Sequence, residues 1–372
     1  DAAPRDTQQA ILDAVDELSA IDTAQGRSPA HILIFFSGER EIREAAESLR
    51  KHHPPLTEIL PLYARLSAAE QNRVFSPARH RRIILATNVA ETSLTVPGIH
   101  YVIDTGVARI SRYSYRSKIQ RLPIEPVSRS SANQRKGRCG RISEGVCIRL
   151  YSEADFNNRP EFTEPEIKRT NLASVILQME LLRLGHIEDF PFIEPPDSRY
   201  IKDGYKLLHE LRAVDKHNNV TALGKEIARL PVDPKIGCML AAAKKFGCLQ
   251  ELLIIGSALS VQDPRERPVD KQQKADERHR LINDAFDDES DDAGDKDNKA
   301  RQDKRSDFLF YLKLWRVYEE QRRHLSQNKL RKFCKEHFLS YNRMQEWRDI
   351  YQQLAVLFKE QGARLNTTEA GF

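Results

Sequence analysis

The chain has 372 residues, of which 40% are hydrophobic and 30% are charged, a composition typical of a globular protein with two or three domains. It has no run of eighteen apolar residues and it begins with a polar segment, which argues against a membrane span and a signal peptide and predicts a cytoplasmic protein. The net charge of +5 is too small to indicate nucleic-acid binding by itself, and five scattered cysteines without CxxC spacing predict reduced thiols and no metal site.

Residues 1–155 alternate short apolar segments with amphipathic ones. The apolar segments are rich in Ile, Leu, Val and Phe, which is typical of parallel strands buried on both faces. Strands that alternate with helices predict a doubly wound α/β sheet. We predict strands over 31–36, 58–62, 82–86 and 100–104, and helices over 8–21, 39–51 and 67–75.

Beyond residue 155 the pattern is mostly helical. Helices predicted over 162–184 and 198–211 precede a hairpin signal at 213–223, and this order is typical of a winged helix. The acidic segment 284–304 has almost no apolar residues, and we expect it to be a disordered insertion. Further helices are predicted over 235–246, 249–260, 306–323, 328–337 and 341–360. The apolar face of the helix 162–184 would consist of Leu172, Val175, Ile176, Met179 and Leu182.

The densest basic segment is the octet 134–141, with the sequence QRKGRCGR. Arginines three residues apart, separated by glycines, would place two guanidinium groups on one side of the start of a helix with little steric cover. This arrangement suits a multiply charged phosphate, because a guanidinium group binds it through two hydrogen bonds and keeps its charge. Taken alone, the octet could also be an exposed basic turn that binds nucleic acid without specificity.

A second polar segment, ATNVAETSLT at 86–95, follows the predicted strand 82–86 directly. Ligands of α/β sheets bind at the carboxyl ends of the strands, so its hydroxyl and amide side chains could contact phosphates and sugars. Turns rich in Ser and Thr are also common as plain helix caps, and the segment alone does not distinguish the two roles.

In their order and spacing these segments resemble motifs IV, V and VI of the DEAH-box RNA helicases of superfamily 2, with the bacterial HrpA type as the nearest match. Motif IV corresponds to Phe36–Ile42, motif V to 86–95 and motif VI to the octet with Ser130–Asn133 before it. Further matches continue to about residue 355. The resemblance implies an α/β RecA-like parallel-sheet domain followed by a winged helix and an α-helical ratchet bundle.

The resemblance also implies roles around ATP. Arg138 and Arg141 would be arginine fingers that stabilise charge on the γ-phosphate in the transition state, and Gln134 would contact the same phosphate or its attacking water. Ser93 would sense the nucleotide, and Phe75 would stack on the adenine. Without the family match, Phe75 could equally be an ordinary core residue.

For RNA, the resemblance implies that Ser37, Gly38, Thr87 and Asn88 hold the sugar-phosphate backbone, as movement independent of base sequence requires. Pro97 stands where the family's eukaryotic members commonly carry Asp, so ribose recognition is expected to be looser here.

The segment 107–127 between motifs V and VI alternates in a way that predicts a β-hairpin, and the family has a hairpin there that separates strands. A solvated hairpin tip without a function is the alternative. The hairpin residues that we predict to contact RNA are Arg112, Tyr113, Tyr115, Arg116 and Lys118.

The sequence contains no GxxxxGK[ST] phosphate-binding loop. A DExH tetrapeptide occurs at Asp276–His279, but a polar helical stretch precedes it and it follows motif VI, so we do not interpret it as the magnesium-binding motif. The resemblance thus implies that a first RecA-like domain, in cis but outside this chain, holds most of the ATP and its Mg²⁺. No cofactor is expected for the chain alone.

We therefore predict part of an ATP-dependent RNA helicase that is inactive as an ATPase by itself. Its expected partners are single-stranded RNA, the first RecA-like domain and ribosomal or ribonucleoprotein complexes, with no membrane. The alternative is a stand-alone nucleic-acid-binding module with degenerate motor motifs. The predicted domains are a linker at 1–28, a second RecA-like domain at 29–157, a winged helix at 158–230, a ratchet domain at 231–358 and a tail at 359–372 that leads toward an OB-fold.

Overall fold

The computed structural model describes residues 6–52, 57–66, 68–92, 94–140, 144–268, 271–284 and 306–366. The chain divides into two compact units between Thr170 and Asn171. The first unit is an α/β domain and the second is built of helices. None of the helices in these ranges combines the length and the apolar character that a membrane span requires.

The first unit follows the predicted alternation of strands and helices. Its helices are α1 (Thr7–Ala24), α2 (Glu39–His52), α3 (Ala68–Phe75), α4 (Arg129–Lys136) and α5 (Glu153–Asn158). Its strands are β1 (His31–Phe35), β2 (Thr57–Leu62), β3 (Arg81–Ala86), β4 (Ile99–Asp104), β5 (Val107–Arg109), β6 (Arg112–Ser114), β7 (Ile119–Arg121), β8 (Ile124–Pro126) and β9 (Val146–Arg149).

Five strands form a parallel sheet in the order β2-β3-β1-β4-β9, which confirms the predicted fold class. β1 and β3 lie inside the sheet, and every residue of each except the first is buried. Their pairing places Phe35, Ala86 and Asp104 side by side at the ends of β1, β3 and β4. The loops that follow these three strands therefore emerge at one edge of the sheet.

Apolar clusters cover both faces of this sheet. On one face, α1 packs through Ile11, Val15 and Leu18, which recur at helical spacing, beside residues of α2. The other face includes Val74 of α3 and Cys139 from the turn after α4. Burial on both faces explains the continuous apolar runs of the strand sequences.

The predicted hairpin between motifs V and VI is confirmed. β5 pairs with β8 and β6 pairs with β7, both in antiparallel register. The turn between β6 and β7 ends at Lys118, whose φ of 54° lies in the left-handed region and whose backbone amide donates to the Ser114 carbonyl at 2.7 Å.

An aromatic core lies within the second unit. The indole of Trp347, fully buried, donates to the Ile254 carbonyl and to Oγ of Ser257, each at 3.0 Å. The helices are α6 (Ala173–Leu181), α7 (Ser198–Glu210), α8 (Ala222–Ala228), α9 (Pro234–Phe246), α10 (Leu249–Leu259), α11 (Gln272–Asp284), α12 (Asp307–His324), α13 (Gln327–Glu336) and α14 (Tyr341–Glu360).

The prediction of one helix over 162–184 was wrong. Only a short 3-10 turn at Glu166–Lys168 and the helix α6 form there. The side chain of Asn171 accepts a hydrogen bond from the backbone amide of Ala173, and such local bonds compete with helical backbone bonding. Val175 and Leu182, assigned to the apolar face, are exposed.

The hairpin predicted at 213–223 is reduced to a single antiparallel bridge between Val214 and Val220. The turn inside this bridge includes Asn218 at a φ of 66°. Almost all of the predicted acidic insertion lies outside the described residues, since the description stops at residue 284 and resumes at 306.

Candidate functional site

A cleft of about 760 Å³ opens at the edge of the sheet where β1 and β3 end. Ser37 and Gly38 line it between β1 and the start of α2, and Thr87 and Asn88 line it directly after β3. Parallel pairing of β1 with β3 fixes the distance between the two loops. The fold thus brings together the four residues predicted to hold an RNA backbone.

Gly38 is a position in this cleft where a side chain would be crowded. A Cβ atom there would lie 2.9 Å from Nε of Arg109 and 3.2 Å from a carboxylate oxygen of Glu41. Arg109 therefore lies across Gly38, and its exposed side chain lines the cleft together with those of Arg43 and Arg65. No ion pair among the described side chains involves these three arginines. The sequence does not single out these three arginines, because a basic bias does not tell which side chains share a cleft.

The hairpin residues predicted to contact RNA differ in their surroundings. Arg112 donates to the two carboxylate oxygens of Glu125 at 2.9 and 2.8 Å and also to Glu164. The hydrogen bond to Glu125, more than that to Glu164, raises the pKa of Arg112 above its ordinary value. The guanidinium of Arg116 lies 5.8 Å from the ring centroid of Tyr115 in the turn. Arg116 is exposed, whereas Tyr113, Tyr115 and Lys118 are half-buried.

The basic octet lies at the end of α4 and not at the start of a helix, so that prediction was wrong. Oγ of Ser128 accepts a hydrogen bond from the backbone amide of Ser131 at 3.1 Å and sets the start of α4 earlier in the chain. The helix ends at Lys136 before Gly137, and glycine is common just after a helix. Gln134 lies in the last turn of α4 with an exposed side chain.

Arg138 follows the end of α4 and is nearly buried. Its guanidinium donates to the carbonyl of Leu94 at 3.3 Å and to the carbonyl of Glu91, both in the segment after β3. The predicted arginine finger is therefore in contact with the predicted motif V. Arg141 and Ser93 lie outside the described residues.

Arg135, a residue of the octet to which we assigned no role, is fully buried at the centre of the site. Its guanidinium donates to Asp104 at 2.7 Å and to Glu91 at 3.0 Å, and it lies 4.9 Å from the ring centroid of Phe35. A signal was present in the sequence, because Arg135 follows Ala132 by three residues and continues the buried stripe of α4.

Phe75, predicted to stack on adenine, ends α3 with 37% of its surface exposed. Its neighbour Val74, at 1%, is the residue of α3 that enters the core. The interpretation of Phe75 as a core residue is therefore wrong. An exposed aromatic ring at this position is available to a ligand.

The DExH tetrapeptide lies within α11 of the helical unit. Asp276 pairs with Arg267 at 2.9 Å, and Nε2 of His279 lies 3.0 Å from the carbonyl of Phe338. Burial lowers the pKa of His279. These side chains are engaged in contacts of the helical unit, and among the described residues no group of three His, Cys, Asp or Glu could hold a metal ion.

Three family profiles match the chain in succession. Residues 11–143 match the helicase conserved C-terminal domain, residues 205–232 the winged-helix part of the helicase-associated domain (HA2), and residues 233–311 its ratchet-like part. These matches agree with the parallel sheet of the first unit and with the helices of the second.

Curated relatives include an ATP-dependent RNA helicase HrpA homolog of Haemophilus influenzae, 55% identical over 99% of this chain. The ATP-dependent RNA helicase HrpA of Escherichia coli is 56% identical over the whole chain, and the human probable ATP-dependent RNA helicase DHX35 is 35% identical over 93% of it. The chain spans 27% of each bacterial protein and 47% of the human one. With the fold and the three matched domains, this similarity shows that the chain belongs to the DEAH-box RNA helicases of the HrpA type.

Proposed function

We propose that this chain is part of an ATP-dependent RNA helicase, which uses ATP hydrolysis to move along RNA and unwind it. It supplies motifs IV, V and VI and does not hydrolyse ATP alone. The observation that carries the proposal is the cleft where Ser37, Gly38, Thr87 and Asn88 meet, in contact through the motif V segment with Arg138. The bacterial relatives are named as RNA helicases of this kind.

The cleft fits the backbone of single-stranded RNA. It offers hydroxyl and amide groups and the start of α2, and a helix start favours a phosphate. Arg43, Arg65 and Arg109 add positive charge without a described carboxylate partner. Contacts of this kind do not read base edges, as movement along any sequence requires. In this proposal Tyr115 and Arg116 at the hairpin turn meet unstacked bases during strand separation.

The ATP-facing residues in this proposal are Arg138, Arg141, Gln134, Ser93 and Phe75. Arg138 has to leave its backbone carbonyl partners to reach a phosphate, so we infer that it engages only when the first RecA-like domain is present in cis. ATP is held mainly by that domain, which also provides the Mg²⁺ site. The arginines here fit phosphate oxygens, and the described residues contain no set of metal ligands.

We also propose a division of the chain into domains. A linker at 1–28 precedes the second RecA-like domain at 29–157. The winged helix covers 158–230, the ratchet domain 231–358 with an acidic insertion at 284–304, and a tail follows at 359–372. The protein acts in the cytoplasm, and ribosomal or ribonucleoprotein complexes are its candidate partners.

Binding of single-stranded RNA by the purified chain at several salt concentrations tests the RNA part. The logarithm of the binding constant should fall linearly with the logarithm of the salt concentration and should differ little between sequences, because the contacts are to phosphates. Strong preference for one sequence, or no binding at low salt, would contradict the cleft assignment.

The ATPase activity of the same chain, with and without RNA, tests the proposal that the chain does not hydrolyse ATP by itself. Turnover should be negligible, whereas the full-length protein should hydrolyse ATP and respond to RNA. Robust turnover by the chain alone would contradict the assignment of ATP binding to another domain. RNA binding combined with a full-length protein that hydrolyses no ATP would instead support the stand-alone binding module.

A further inference from the structure

A buried cluster of charged side chains lies between the cleft and the turn that carries Arg138. Arg135 is at its centre, fully buried, with Nε donating to Glu91 at 3.0 Å and a terminal nitrogen donating to Asp104 at 2.7 Å. Its guanidinium also lies 4.9 Å from the ring centroid of Phe35. One side chain thus connects the ends of β1 and β4, the segment after β3 and the last turn of α4.

Glu91 contacts both sides of this cluster. One carboxylate oxygen accepts from Oγ of Ser131 at 2.5 Å, and the other accepts from Arg135. Its backbone carbonyl accepts from the guanidinium of Arg138, and its backbone amide donates to the carbonyl of Asn88 at 3.0 Å. Glu91 is therefore bonded to a residue that lines the cleft and to the predicted arginine finger.

The two carboxylates of the cluster have different surroundings. Asp104 is fully buried and also accepts hydrogen bonds from the Tyr151 hydroxyl at 2.8 Å and from the Gly106 amide at 2.9 Å. Glu91 is only partly buried and lines the cleft beside Asn88. We assign Asp104 to the stability of the fold, since all its contacts lie away from the cleft. Glu91, in contrast, lines the RNA cleft and also contacts the predicted arginine finger, Arg138.

A buried guanidinium is costly to leave without its carboxylates, so this cluster favours one discrete arrangement of its parts. These contacts join Asn88, Glu91, Arg135 and the turn after α4 into one network. Hydrogen-bond and ion-pair networks of this kind carry coupling between two sites when both sites bias their arrangement.

We propose that Glu91 and Arg135 are positioning residues that couple RNA in the cleft to the placement of Arg138, so that stimulation of ATP turnover by RNA depends on their ion pair. The inference rests on the proposed helicase function and extends it to a regulatory contact. In this scheme Glu91 and Arg135 contact neither the nucleotide nor the RNA backbone.

The test is Glu91→Gln in the full-length protein, with ATP turnover measured over a range of RNA concentrations. The maximal RNA-stimulated turnover should fall at least about ten-fold, while the half-saturating RNA concentration should change less than about two-fold, because the variant loses coupling and not a substrate contact. Glu47→Gln is the matched control. Glu47 is exposed on α2, pairs with Lys51 and does not line the cleft, so its variant should keep the stimulated turnover.

Ser131→Ala removes only the 2.5 Å hydrogen bond to Glu91 and should lower the stimulated turnover in the same direction but less. Wild-type stimulation in Glu91→Gln overturns the inference, as does a loss that matches weaker RNA binding. If circular dichroism shows that Glu91→Gln does not fold, Ser131→Ala decides, and unchanged stimulation there overturns the inference. A wild-type protein without RNA-stimulated turnover would contradict the proposed function itself.

Discussion

Replacement of Arg135 by Met should destabilise the first unit strongly. Met resembles the aliphatic part of the arginine side chain, so the main change is the loss of the buried guanidinium with its positive charge and its hydrogen bonds. Asp104, fully buried, would lose the guanidinium 2.7 Å away, and Glu91 would keep Ser131 as its side-chain partner. Removal of one member of a buried ion pair costs about 3–5 kcal/mol. Asp104 retains two other hydrogen-bond donors, so we expect about 3 kcal/mol, the lower end of this range.

Urea and thermal unfolding, followed by circular dichroism, measure this loss. At about 2–4 °C per kcal/mol for a domain of this size, the midpoint should fall by about 6–12 °C. Arg116→Met is the control, since Arg116 is an exposed hairpin residue and its variant should change stability by less than about 0.5 kcal/mol. Addition of Asp104→Asn to Arg135→Met should restore part of the loss, because the unpaired buried charge is removed. A loss below about 1 kcal/mol for Arg135→Met would refute the reasoning.

Three further changes test other parts of the first unit. Gly38→Ala should displace Arg109 and reduce the slope of binding against salt by about 0.7, the value of one phosphate contact on single-stranded nucleic acid; an unchanged slope would count against that contact. In the full-length protein, Arg138→Ala should lower ATP turnover by about 10³-fold or more with RNA binding retained, and unchanged turnover would remove the finger assignment. Burial first, and then the 2.5 Å hydrogen bond to Asp22, raise the pKa of Tyr101 to about 12. The folded pKa exceeds the unfolded one, so this stability is present below about pH 10 and is lost as the pH rises toward 12. Urea unfolding measures the free energy of unfolding at pH 8 and at pH 11. Between these two pH values Tyr101→Phe should lose less of it than the wild type, and equal losses would contradict this account.

The parallel sheet could be predicted because burial on both faces leaves a direct record in the sequence. β3 is a continuous apolar run after its first two residues, and every one of its residues except Arg81 is buried. The late start of α6 could not be predicted in the same way. The apolar periodicity of 162–184 suggested one long helix, but the Asn171 side chain accepts a hydrogen bond from the backbone amide of Ala173, a local bond that competes with helical backbone bonding where α6 begins.

The hairpin between motifs V and VI was predictable from its alternation, but the role of each charge in it was not. Arg112 looks in sequence like a free basic group beside two tyrosines. In the fold its guanidinium faces Glu125 on the neighbouring part of the hairpin and Glu164 further along the chain. A basic residue is available to a polyanion only if the fold leaves it without a carboxylate partner, and that depends on residues distant in sequence.

The arginines of the octet 134–141 also have surroundings that depend on residues distant in sequence. Arg135 and Arg138 are three residues apart and look equivalent in the pattern, but Arg135 lies within α4 and Arg138 lies beyond its end. The carboxylates that engage Arg135 are 31 and 44 residues away in sequence, so the local spacing of α4 indicates a buried position but not the partners that allow an arginine to occupy it. Arg43, Arg65 and Arg109 show the converse, since they belong to no motif but share one cleft without described acidic partners. An arginine-rich motif therefore indicates the chemistry available near a site, and the carboxylates that the fold places beside each guanidinium determine which arginines can use it.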